Sequence, residues 1–302
     1  MLKSRLCIAF FAFAVGCAPA QKPLTDYVNP MLGTATLWDS VDLGFKPTKR
    51  TWGAEVFPGS SLPNAMVQVS PVTKFHSGAG YQYEDSVIYG FTHTNKGHWN
   101  LCHIPLLPVT GTPTPGDYCS PFSHERESAA PVYYQVFLDR YGVDAQLSST
   151  LRCAFHKYTY PAGAAPAVLA DLQRSNEHVR AWDIRKEGDN VFAGWQQTGE
   201  KMYFYAVANR PVTGIEPVVE GDREVRIVRF GEGDGALELR IGFSFVSEKN
   251  ARENFEAEML GKSFAEVRSE ATATWNDLLG RIRVEGGTER EKIGRASCRE
   301  RV

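Results

Sequence analysis

The sequence predicts an all-β fold: a large antiparallel β-sandwich (a supersandwich) followed by a short helical linker. From residue 132 to 246, apolar and polar residues alternate at short range. Gly- and Asp-containing clusters at 187–190 and 231–235 separate the runs. No helical pattern alternates with the strands, which excludes a doubly wound α/β sheet.

The first hundred residues after a leader are irregular, with Gly- and Pro-punctuated loops at 57–61 and 78–81 around two short strands, 64–70 and 86–91. Such loops on a β scaffold are where binding surfaces sit. Strands follow at 132–139 and 143–148, joined by Tyr141-Gly142, and at 152–160, stopped by Pro161. Residues 191–196, 202–208, 224–230 and 237–246 continue the series. The period then changes. Ser247 is a fitting N-cap for a helix to about Met259. After Ser263 a second helix sets Phe264, Val267, Ala271, Trp275 and Leu278 on one face and ends at Gly280, with 281–285 extended again. These helices read as a connector to a neighbouring domain, or as a cover for the sandwich itself. In the first case apolar surface is expected to be exposed around Trp275 and Phe264, with a tendency to aggregate.

The 302 residues are 43% hydrophobic and 23% charged, with 17 Phe, 12 Tyr and 6 Trp, enough for one large domain or two ordinary ones. That composition excludes a disordered tail, a collagen-like repeat and a small disulfide knot. The 33 basic and 35 acidic residues are mixed along the chain, leaving no basic stripe for nucleic acid.

Residues 1–20 have the form of a secretory signal: Lys3 and Arg5, an apolar stretch too short to span a bilayer, and Ala18-Pro19-Ala20 as the cleavage site. Ala14-Val15-Gly16-Cys17 is an imperfect lipobox, so a lipid anchor at Cys17 is the alternative to a soluble exported form in the periplasm, at the cell surface or secreted. Residues 293–302 back-translate in frame to a common short-read sequencing adapter and are expected to be an artefact. Outside these ends stand Cys102, Cys119 and Cys153, without CxxC spacing. Buried or half-buried thiols are expected rather than a disulfide framework.

The densest cluster of functional residue types is 92–103, with His93, His98 and His103 at intervals of five beside Cys102. That interval puts the three on one face of neither strand nor helix, so zinc is disfavoured. A sugar-contacting loop fits better, with Trp99 as a stacking face and Asn95, His93 and His98 bonding hydroxyls. Glu84-Asp85 would face opposite ways on a strand and are expected to be solvated turn residues. Ser60-Ser61 lacks the nucleophile-elbow spacing, and no convincing catalytic pair stands out.

Several segments together resemble the opening of glycoside hydrolase family 92. They are Tyr27-Val28-Asn29-Pro30-Met31-Leu32-Gly33-Thr34, Phe57-Pro58-Gly59, Met66-Val67-Gln68-Val69-Ser70-Pro71, Gly80-Tyr81 with Asp85, and Ile88-Tyr89-Gly90-Phe91-Thr92-His93-Thr94. Phe122-Ser123-His124-Glu125, Tyr133-Tyr134-Gln135-Val136, Trp275-Asn276 and Val284-Glu285-Gly286-Gly287-Thr288 continue in the same order. The resemblance runs from 27 to 291.

It implies an exported, calcium-dependent exo-α-mannosidase acting with inversion on mannose-containing glycans. Such a protein has an N-terminal sandwich (21–246), a helical linker (247–283) and an (α/α)6 barrel beginning at 284–292. The barrel would carry the acid, the base and most of the calcium site, so no catalytic residue carries over and the chain alone should be inactive. Loops of the sandwich would supply part of the sugar pocket: Gly80 and Tyr81, and the loop with His93, Asn95, His98 and Trp99. The pattern departs from the family at 95–99, where a Ser-Gly-Thr-Gly-like stretch is frequent, and at Phe75-His76, where a Trp is common. The rival readings are a free-standing carbohydrate-binding module without catalysis and a scaffold anchored through Cys17.

Overall fold

The computed structural model describes residues 22–36, 44, 56–96, 99–282, 286–288 and 290–293. Residues 1–20 with Cys17, His98 and residues 294–302 lie outside that set.

Two antiparallel sheets face each other. The first runs, in spatial order, β1 (Ser60–Ser61), β2 (Gln68–Val72), β4 (Gly90–Thr92), β7 (Leu106–Val109), β13 (Ala167–Ala170), β18 (Arg223–Phe230) and β17 (Val212–Glu220). The second runs β14 (Ala181–Gly188), β15 (Val191–Gln197), β16 (Lys201–Ala208), β19 (Leu237–Ser244), β12 (Cys153–Thr159), β11 (Val143–Ser149), β10 (Tyr133–Leu138) and β9 (Glu127–Ala130). Two small ribbons, β3 (Val87–Ile88) with β8 (Ser120–Pro121) and β5 (Asn95–Lys96) with β6 (Trp99–Asn100), sit in the connections. The inward residues of both sheets, among them Phe91, Leu106, Val168, Ile227, Tyr134, Tyr158, Phe204 and Ile241, form one continuous core. Alternation along each strand puts these residues on one face of the pleat. The expected all-β sandwich is the fold.

The early strands differ from expectation in register. Asn64 has φ 58°, so the chain is still turning there and β2 begins only at Gln68. The run at 86–91 divides at Tyr89, one half pairing with β8 and the other with β2. Cys102 and Cys153 are buried free thiols and Cys119 a half-buried one.

Both helices lie where the capping residues put them. The Ser247 side chain accepts from Asn250 N at the start of α1 (Glu248–Glu258). Ser263 and Glu266 close a capping box on α2 (Phe264–Gly280). No helix among the described residues is long and apolar enough to cross a membrane. The expected exposure of Phe264 and Trp275 is corrected: the helices cover the sandwich. Phe255, Met259, Phe264, Val267 and Ala271 form a second core with Tyr133, Cys153 and Phe155 on the outer face of the second sheet, and Trp275 packs against it. The helical stripe closes on Leu279, against Val28, rather than on Leu278. Arg281 and Ile282 form a turn and bend instead of an extended start.

Trp275 also donates from Nε1 to the Ser61 carbonyl at 2.7 Å, tying α2 to the first sheet's edge. Trp275→Ala is expected to cost roughly 2–3 kcal/mol in urea unfolding. Trp275→Phe, which keeps the packing and drops the hydrogen bond, should cost about 1 kcal/mol. Equal losses in the two variants would show that packing contributes nothing there.

Candidate functional site

Four connections meet at one end of the sandwich: the β2–β4 loop, the β4–β7 loop with its β5–β6 ribbon, the β13–β14 loop and the β15–β16 turn. Asn176 is the knot between three of their segments. Its side chain accepts from His76 N at 2.6 Å and donates to Asn100 O at 2.5 Å and Ser77 O at 3.2 Å. Asn100 ties the ribbon to the β2–β4 loop, donating from Nδ2 to Ala79 O and from N to Gly78 O, at 3.0 and 2.8 Å. The Ser175 hydroxyl donates to Leu101 O at 2.6 Å, and Gln196 Oε1 accepts from Ile104 N at 2.8 Å. His103 lies 2.9 Å from both the Thr94 and the Thr198 hydroxyl.

Side-chain amides thus do the work that a sheet ladder does elsewhere, because these loops have no regular backbone partners. His76, Cys102 and Ile104 all sit at φ of 54–58° within these connections. Backbone held in that region by surrounding contacts is a mark of functional loops.

Gly80 has φ 75°, a conformation that favours glycine, and a Cβ there would lie 3.1 Å from both Asn100 Nδ2 and Cys102 Sγ, so these side chains would have to give way to a larger residue. Tyr81 is 2% exposed and directs its hydroxyl inward to Glu127, at 2.9 and 3.0 Å from the two carboxylate oxygens. His93 is fully buried: its Nε2 lies 3.0 Å from His156 Nε2, and its ring lies 4.5 Å from that of Phe243. Burial lowers its pKa to about 3, so it is neutral. Its place is in the sandwich core, behind the loops.

Asn95 and Trp99 stand on the β5–β6 ribbon, half-buried, with Asn95 paired to Asn100 and Lys96 to Trp99. Both amide atoms of Asn95 are buried and have no hydrogen-bond partner among the described residues. A side chain with two donors and an acceptor left open costs stability unless something else completes it. Gly80, Asn100 and Asn95 are therefore neighbours, Trp99 stands with Lys96 on the ribbon's other face, and the side chains of Tyr81 and His93 are turned inward.

Glu127 and Asn176 were not singled out from the sequence. Glu127 receives Tyr81, Tyr134 at 2.6 Å and His124 Nδ1 at 2.5 Å. The Phe122-Ser123-His124-Glu125 motif pointed near it without reaching it. Asn176 lies in a loop without motif, and no sequence signal marks it. Glu84 and Asp85 face different partners, Thr36 and Thr73. Among the described residues no three His, Cys, Asp or Glu side chains converge as a metal site. His93 and His103 bond separate partners, His156 for the first and Thr94 and Thr198 for the second.

The sequence profile of the glycosyl hydrolase family 92 N-terminal domain matches residues 27–252, and that of the family's catalytic domain matches residues 250–294. The chain belongs to glycosyl hydrolase family 92. A relative described as an uncharacterized secreted glycosidase, from Arthroderma benhamiae, is 24% identical over 86% of this chain and 38% of its own length. The structure of a family GH92 α-mannosidase of Bacteroides thetaiotaomicron superposes with TM-score 0.79 at 24% identity, over 91% of this chain and 40% of that one. It has also been solved with mannoimidazole. A family GH92 inverting mannosidase of the same organism gives TM-score 0.79 at 25% identity, over 93% and 40%. The GH92 chain described here thus spans about two fifths of the length of the relatives it matches.

Proposed function

We propose that this chain is the N-terminal sandwich and linker of an exported exo-α-mannosidase, and that its loop end forms part of the pocket for a terminal mannose. The observation that carries the reading is the unpartnered amide of Asn95 on the ribbon that also bears Trp99, a ribbon fixed by Asn100 and Asn176. Aromatic faces suit sugar rings, and side-chain amides suit their hydroxyls. The mannosidase neighbours, one of them in complex with mannoimidazole, support mannose as the class of substrate. The relative described as secreted supports export. Trp99 would supply the stacking face, with Gly80 letting Asn100 pack closely beneath the ribbon.

Inversion requires an acid and a base carboxylate set apart with a water between them. Two buried carboxylates among the described residues have partners within the sandwich: Glu127 has Tyr81, Tyr134 and His124, and Asp171 accepts through Oδ2 from Tyr118 and Arg223 at 2.6 Å each. The role proposed for the chain is recognition, with acid, base and calcium assigned to the family's catalytic barrel and the linker carrying the sandwich against it. Among the described residues no carboxylate trio converges as a calcium site.

Calorimetric titration with mannoimidazole tests the reading. Trp99→Ala and Asn95→Ala are each expected to weaken binding about tenfold, the factor carried by one stacked ring or one pair of hydrogen bonds. Unchanged affinity in both variants would remove the ribbon from the sugar site. Binding of full strength by the chain alone, in a monomer, would favour a free-standing carbohydrate-binding module.

A further inference from the structure

Glu127 opens the edge strand β9 with its side chain 2% exposed; its carboxylate accepts from the Tyr81 and Tyr134 hydroxyls and lies 2.5 Å from His124 Nδ1. A buried carboxyl group needs such hydrogen bonds to offset its lost hydration. Burial and the carboxylate keep the hydroxyls of Tyr81 and Tyr134 protonated, far above the ordinary tyrosine range. The other nitrogen of His124, Nε2, lies 2.7 Å from the Tyr83 carbonyl. Two ring nitrogens therefore face two acceptors. A neutral imidazole has one N–H and satisfies one of them, whereas an imidazolium satisfies both. The Tyr83 ring lies flat on the imidazole, centroids 3.9 Å apart and planes 2° apart, a position in which a cation gains from the aromatic face.

We propose that His124 and Glu127 form a proton-operated clasp on residues 80–85: protonated His124 bridges the buried Glu127 carboxylate and the Tyr83 carbonyl, and loss of the proton frees one of the two ends. The segment so held includes Tyr81, and through Gly80 and the Ala79 carbonyl it reaches Asn100 and the ribbon. Resting in this respect on the sugar reading above, His124 and Glu127 are positioning residues for the ribbon. The groups facing His124 are Glu127 on β9, Tyr83 and Tyr81 on the loop, and the Phe122 ring at 5.3 Å; Tyr134 on β10 reaches it through Glu127. Arg126, on the same turn, is directed to Asp139 and the Phe137 ring. Glu84 and Asp85 are bonded to Thr36 and Thr73.

Histidine-labelled nitrogen-15 spectra and amide exchange of residues 80–85, recorded on the 302-residue chain between about pH 5 and 8, test the clasp. At the acid end His124 is expected to carry a proton on both nitrogens. Protection of the loop amides, corrected for intrinsic rates, should fall about tenfold by the alkaline end, the factor that one charge-assisted hydrogen bond carries. In His124→Gln, protection should be lower and independent of pH. A neutral imidazole at the acid end, or the same pH profile in wild type and His124→Gln, overturns the proposal. The spectra of the wild type decide even if the variant fails to fold. No sugar enters the measurement, so its failure and that of the mannose reading are separate results.

Discussion

Between pH 7 and pH 5 the protein is expected to lose roughly 4 kcal/mol of folding stability to two histidines, His93 and His103. Both are buried, and burial lowers their pKa values to about 3 and about 4. His156, 3.0 Å from His93, is lowered well below the ordinary range by burial and then by His93 itself. A neutral imidazole has one N–H, so in the His93–His156 contact one ring donates and the other accepts. Protonating the acceptor would break the contact and place a charge among Phe91 and Phe243. The unfolded chain carries ordinary imidazoles that charge as pH falls through about 6.5. The stabilisation is therefore complete above that value and declines below it, each of His93 and His103 contributing about 2 kcal/mol of loss by pH 5. His156 adds a loss of the same sign. Urea unfolding at several pH values should show the slope between pH 6 and 5 approaching one proton for each buried histidine. His93→Phe should remove one of these. A slope below one proton would mean that these imidazoles are charged in the native protein. The clasp at His124 has the opposite dependence and is read locally, so exchange at residues 80–85 distinguishes it from global acid unfolding.

Strands were legible where alternation was clean. In β16 every second residue of Lys201–Ala208 is buried, and in β19 the alternation holds over residues 237–240 before the strand is buried on both faces. Both stood out because one face meets the core and the other meets water or a helix. The strands at Ala167–Ala170, Ala181–Gly188 and Val212–Glu220 escaped for three different reasons. The first is a four-residue run buried throughout, with no period to read. The second carries Asp183, Arg185, Lys186 and Glu187, and its pattern is mostly polar. The third contains Gly214 and Pro217, tolerated because β17 is the edge of its sheet and bulges between Val212 and Gly214.

At the candidate site, sequence spacing found the ribbon but could not tell support from surface. His93 and Tyr81 are polar types in a motif, yet their side chains are claimed by His156 and Glu127, partners 63 and 46 residues away. Asn176 holds the site from a loop whose composition is ordinary; only the meeting of the β13–β14 connection with the ribbon gives it a role. The helices were legible from caps and stripe. What they cover was not, because an amphipathic face shows that a partner exists without showing which one.

Gly242→Ala is expected to cost about 4 kcal/mol and to detach the two helices from the sandwich. Gly242 lies in β19, between Tyr205 of β16 and Cys153 of β12, directly under α1. A Cβ at this position would come 2.2 Å from the Ala251 carbonyl oxygen and 2.8 Å from Phe255 N and Cβ. Those are mostly backbone atoms of a helix, so no rotamer change relieves the contact, and α1 must move outward as a body. Its attachments resist that movement at both ends: Arg185 bonds Glu248 at 2.5 Å, and Arg152 and Thr150 bond Glu258 at 2.6 and 2.5 Å. Displacement would uncover Phe255 and Met259, each worth about 1.5–3 kcal/mol of burial. Gly214→Ala is the control: a Cβ there meets nothing within 4 Å, and the change should stay within about 0.5 kcal/mol. Exchange measurements on Gly242→Ala should show α1 and the Trp275 end of α2 losing protection while β10–β12 keep theirs. A variant as stable as wild type would mean that the helix rides on the sheet more loosely than the 2.2 Å approach requires. Loss of protection throughout both sheets would instead make the two helices part of the sandwich's cooperative unit, folding with it rather than onto it.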